Sequence, residues 1–96
     1  MILYGFKVGI DEEDVIKKVI VEITDDGKVL REVTVDIDKE YKISPYKDIK
    51  MKYRDKIGVV RSFKKNEDKG ELKAHIQFLD NNKFGWVDVQ DLEEIK

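Results

Sequence analysis

Between Lys42 and Lys65 the chain interleaves cations with aromatic rings. Lys42, Lys47, Lys50, Lys52, Arg54, Lys56, Arg61, Lys64 and Lys65 stand against only Asp48 and Asp55, with Tyr41, Tyr46, Tyr53 and Phe63 among them. Ammonium and guanidinium groups neutralise phosphates, and ring faces stack on unpaired bases, so this mixture has the chemistry of single-stranded nucleic-acid binding. On that reading Lys47, Lys50, Lys52, Arg54, Arg61, Lys64 and Lys65 contact phosphates, and Tyr53 or Phe63 stacks. The simpler alternative is a solvated basic face that offsets an acidic first half. A pI near 5.5 and the lack of an arginine-rich run or ribonucleoprotein motif favour that alternative.

Two further clusters could meet a partner. Asp11, Glu12, Glu13 and Asp14 could mimic a phosphate run or attract a cation, although they lack the spacing and glycine of an EF-hand loop. A solvated charged turn is the expectation for them. Phe84 and Trp86 lie two apart, so in a strand they share a face, opposite to Val87. They are either an anchor for a protein partner or are covered by the N-terminal part of the chain, and covering is the expectation, because small domains rarely leave two large rings bare.

Catalytic chemistry finds little support. His75 is the only histidine and cysteine is absent, so neither a recognisable zinc set nor a thiolate nucleophile is available. The six glycines form no phosphate-cradling loop. The expectation is a non-enzyme with no cofactor, no metal and no small-molecule substrate.

Ninety-six residues suffice for one domain with one modest core. No stretch approaches the roughly 20 apolar residues of a membrane span. The start, Met1-Ile-Leu-Tyr-Gly-Phe-Lys7, lacks a signal-peptide pattern. Together with the absence of cysteine, this predicts a cytoplasmic protein. The net charge of −2 hides an asymmetry: residues 1–45 hold seven basic and eleven acidic side chains, and residues 46–96 hold twelve and ten. Abundant lysine and isoleucine with scarce arginine and alanine match AT-rich genomes, including those of many phages and mobile elements.

The elements that must position these residues read as strands. Val19–Thr24 and Val29–Ile37 flank Asp25-Asp26-Gly27-Lys28, and Asp-Gly between β-branched runs is a strong hairpin signal. Val33, Val35 and Ile37 share one face. Residues 2–10 suit another strand. Val15, Ile16, Val19, Ile20 and Ile23 also fit a helical stripe, but their β-branching favours a strand. Pro45 marks a seam between halves. Beyond it, Lys56–Phe63, the alternating Leu72–Phe78 and Lys83–Val87 read as strands, with a turn at Asp80-Asn81-Asn82.

The ending Gly85-Trp-Val-Asp-Val-Gln-Asp-Leu-Glu-Glu-Ile95 resembles the close of SH3 domains: a strand, one 3₁₀ turn and a last strand. Arg54-Asp-Lys-Ile57 resembles the start of an earlier SH3 strand, and Gly58-Val-Val60 is similar to KOW and Tudor-type barrels. The resemblance implies an all-β fold: an SH3-like small barrel over 41–96 with an N-terminal β-hairpin, residues 1–40, extending or covering it in one domain. It also implies where a peptide groove would lie, but Asp88 and Leu92 replace the groove's proline and tyrosine. Pro-rich ligands are therefore not expected. Two functions stay open. One is a small intracellular adaptor or nucleic-acid-associated module, in keeping with KOW-type barrels. The other is a phage or mobile-element inhibitor of a host defence protein, acting through its acidic half or the Phe84/Trp86 face.

Overall fold

The Asp25–Lys28 turn shows how local chemistry starts this fold. Asp26 and Gly27 both adopt positive φ, 49° and 84°, which suits the right-handed twist of the strands they join. The computed structural model, which describes residues 1–45, 53–66 and 71–95, accordingly places β2 (Ile16–Asp25) antiparallel to β3 (Lys28–Asp36). β1 (Ile2–Ile10) pairs with the other side of β2, giving a three-stranded meander. Residues 16–20 are strand, as their β-branching predicts. Val19, Val21 and Ile23 alternate onto one buried face, joined by Val33 and Val35 of β3. Tyr4 and Phe6 lie opposite Ile23 and Val21 on the same face.

The second sheet is built from β4 (Glu40–Ile43), β5 (Ile57–Asn66), β6 (Glu71–Phe78), β7 (Phe84–Asp88) and β8 (Leu92–Glu94), with one 3₁₀ turn at Val89–Asp91 before β8. Its order is β7-β6-β5-β4-β8, all neighbours antiparallel. The protein is thus all-β with two sheets, and no ladder joins β7 to β8, so the larger sheet does not close on itself. β4 was not foreseen. It carries only two inward residues, Tyr41 and Ile43, and is held by pairing with β5 and β8, distant in sequence.

The sheets share a single core, to which Val60, Leu72, Ala74, Ile76, Phe78, Val89 and Leu92 contribute from the second sheet. Polar links lock the packing. The Tyr41 hydroxyl donates to the Thr34 carbonyl at 2.9 Å and accepts the Asp36 N–H at 2.8 Å. The Arg31 guanidinium donates to the Ser44 and Gln90 carbonyls at 3.1 and 2.9 Å, tying β3 to the segment before β8.

Burial holds the Tyr41 phenol above its usual pKa of 10.0, opposed only in part by the Asp36 hydrogen bond. Its contribution is therefore complete below the unfolded-state pKa and is lost as pH rises through the folded one. Tyr41→Phe leaves a part-buried carbonyl and N–H without this partner, and is expected to cost about 1–2 kcal/mol near neutrality. Urea titrations should show this gap narrowing at alkaline pH.

Candidate functional site

A grid of side chains on the outer face of the larger sheet contains the most exposed aromatic surface among the described residues. Leu72, Ala74, Ile76 and Phe78 of β6 point inward, so Lys73, His75 and Gln77 point outward. On β7, Val87 is buried while Phe84 and Trp86 are 53% and 47% exposed. Register sets Trp86 directly opposite His75 and Phe84 opposite Gln77. The His75 ring stacks on the Trp86 indole with centroids 4.5 Å apart and planes 15° off parallel. Phe84 approaches the same imidazole at 4.9 Å, tilted by 34°. Three rings therefore form one continuous outer cluster.

The N-terminal strands do not cover these rings, contrary to the expectation. Their buried side chains, Val19, Val21, Ile23, Val33 and Val35, face the inner side, where they close the core. The meander consequently packs on the opposite side of the larger sheet.

Cations surround the rings. A register irregularity between Val60 and Ser62 leaves Arg61 exposed and sets Ser62 opposite His75; such bulges re-aim side chains locally. Arg61 donates to Asp38 at 2.8 Å and to Gln77 Oε1 at 3.1 and 3.0 Å. Lys64 lies opposite Lys73, which in turn pairs with the buried Asp88 at 2.5 Å. Lys83 is exposed immediately before Phe84, and neither it nor Lys64 has an ion pair among the described residues.

Of the basic segment singled out from the sequence, Lys47, Lys50 and Lys52 lie outside the described residues, as does Tyr46. Arg54 donates to the Pro45 carbonyl at 3.2 Å, a local backbone tie. Arg61, Lys64 and Lys65 are exposed on β5. Tyr53 and Phe63 are only partly exposed and pack against the core. The Tyr53 ring lies 4.8 Å from Phe78, and the two cover Gly85 of β7. Both pack inward, and the exposed large rings among the described residues are Phe84 and Trp86 instead. His75 is the residue that sequence reasoning missed. Its signal was its place in β6, alternating with buried residues and brought opposite Trp86 by the Asp80–Asn82 turn.

The acidic cluster forms the β1–β2 turn. Asp11 Oδ1 accepts the N–H groups of Glu13 and Val15 at 2.9 and 3.0 Å, and Asp14 takes φ 61°. Glu12, Glu13 and Asp14 are exposed. The Val15 hydrogen bond, helped by that of Glu13 and by Lys17, holds the Asp11 carboxyl below its usual pKa. Its stabilisation is present above the unfolded-state pKa and is lost as pH falls through the folded one. Asp11→Ala should lower the urea midpoint at pH 7, and that difference from wild type should vanish in acid.

Among the described residues no group of three or more acidic or histidine side chains is placed to hold a metal ion, and no helix is long and apolar enough to cross a membrane. Comparisons with protein-family models, with curated proteins and with solved structures found no match.

Proposed function

We propose that this protein is a binding module that engages single-stranded nucleic acid on the outer face of its larger sheet. The observation that carries this reading is the solvent-facing cluster of Trp86, His75 and Phe84, flanked by Arg61, Lys64, Lys73 and Lys83. Exposed rings beside cations provide base stacking and phosphate neutralisation together. The fold reading that accompanies it is an SH3-like small barrel from Tyr41 onward. It is supported by the strand order β7-β6-β5-β4-β8 and by the 3₁₀ turn at Val89–Asp91 between the last two strands.

The proposed contact differs from the site expected along the sequence. Tyr53 and Phe63 pack against the core, whereas Arg61 and Lys64 of β5 are exposed. Because the cluster reads ring faces, discrimination between bases should be weak.

Fluorescence anisotropy with short single-stranded oligonucleotides tests the reading. Affinity should fall with salt along a log–log slope of about −2, as expected for roughly three neutralised phosphates at −0.7 each. Lys64→Glu should flatten that slope. Absence of binding at low salt overturns the reading and leaves the same rings as an anchor for a protein partner, the role first considered for Phe84 and Trp86.

A further inference from the structure

The smaller sheet carries an unused edge whose side chains complement a second copy of itself. β3 is tied to the rest of the protein through Arg31, whereas β1 pairs only with β2, and its far edge has no strand beside it. Nine residues of strand without proline and with a single lysine make an unusually unprotected edge. Every even position, Ile2, Tyr4, Phe6, Val8 and Ile10, is apolar. Yet only Tyr4 and Phe6 reach partial burial against the core, and Val8 is 41% and Ile10 58% exposed.

The opposite face of β1 holds a charge pattern that the single chain leaves unresolved. Glu22 of β2 lies directly across from Glu32 of β3, and like charges in that position repel. Gly5 lies across from Glu22 on the other side, and nothing stands within 4 Å of where its Cβ would be. The result is a cavity of ≈ 420 Å³ lined by Gly5, Phe6, Lys7, Ile20, Glu22 and Glu32. Lys7, Glu22 and Glu32 make no ion pair among the described residues.

We propose that two copies of this chain join β1 to β1 antiparallel about a two-fold axis at Phe6, forming a continuous six-stranded sheet in which each Lys7 enters the partner copy's Gly5 gap and pairs with its Glu22. In this register Phe6 faces Phe6, Tyr4 faces Val8, and Lys7 faces Gly5. Residues directly opposite in an antiparallel pair share a face, so the apolar even positions meet on one side and Lys7 meets the gap on the other. Glu22 then lies two strands from the incoming Lys7, about 10 Å between Cα atoms, with only a glycine between them. Both cores fall on the same side of the joined sheet. The buried residues of the smaller sheet lie on β2 and β3, and β1 contributes only the half-buried Tyr4 and Phe6. The pairing uses the sheet opposite to the ring cluster and does not depend on nucleic-acid binding.

Sedimentation equilibrium on the whole chain at low salt tests the pairing. Wild type should reach twice the 11.3 kDa protomer mass. Lys7→Glu should raise the dimer dissociation constant roughly tenfold, since two pairs become repulsive at once. The swap Lys7→Glu with Glu22→Lys should restore it. Register is read separately by oxidation, as the chain has no cysteine of its own: Phe6→Cys should cross-link to itself, whereas Tyr4→Cys and Val8→Cys should not. A monomer at all concentrations overturns the proposal. So does a dimer indifferent to Lys7→Glu, or one that cross-links at Tyr4 or Val8 rather than Phe6.

Discussion

Trp86→Ala should weaken binding to single-stranded oligonucleotides by roughly 5- to 150-fold while leaving the protein folded. The range follows from stacking on one aromatic side chain, about 1–3 kcal/mol per base. The indole is 47% exposed, so its truncation opens no buried cavity. What the fold loses is the stack on His75, of order 0.5–1.5 kcal/mol for a ring pair. Binding and stability therefore separate: a large loss of affinity should accompany a small shift in urea midpoint. Phe84→Ala should act in the same direction and less strongly, because its ring meets His75 tilted rather than face to face. If Trp86→Ala binds as well as wild type, the rings have no part in recognition.

Gly58→Ala should be the most destabilising glycine-to-alanine change among the described residues. A Cβ at Gly58 would lie 2.2 Å from Ile76 Cγ2 and 2.9 Å from the Gln77 carbonyl oxygen. Neither can give way cheaply. Ile76 is fully buried at the centre of the core, and the Gln77 carbonyl belongs to the backbone of the neighbouring strand. Overpacking commonly costs 1–3 kcal/mol, and this site should reach about 3 kcal/mol or more. The contrast is Gly5→Ala, where the added methyl meets nothing and urea melts should barely move. Combining Gly58→Ala with Ile76→Ala removes one of the two clashes, so the pair should cost less than the sum of its parts. Strict additivity would show that the glycine is not required by close packing.

How far the residues announce this arrangement depends on the range over which each feature is decided. Asp26-Gly27 is legible because positive φ is a local demand that few residues meet. Alternation in Leu72–Phe78 is legible because one face is fully buried and the other polar. The Gly85–Ile95 ending is legible as strand, 3₁₀ turn and strand, and it occurs in that order. β4 is not legible, since its four residues are strand only through partners on β5 and β8. The faces of β5 are obscured as well. The irregularity near Arg61 breaks simple alternation, so Val60 is buried and Phe63 also packs on the core, three positions apart. Aromatic residue type alone thus gave no guide to which rings are free. Tyr53 and Phe63 are drawn inward by packing, and His75 acquires a stacking partner only through the register of β6 with β7. The fate of the N-terminal strands was likewise a question of faces: their inward valines and isoleucines choose the core side, and the outer rings stay uncovered.

The central claim is that the outer face of the larger sheet is the nucleic-acid contact. Its most direct test is amide and side-chain NMR mapping of the whole protein during titration with a short single-stranded oligonucleotide. The largest shifts should fall on the Trp86 indole N–H, the His75 and Phe84 rings, and the amides around Ser62 and Lys73. Shifts confined to the smaller sheet, or none at low salt, would contradict it.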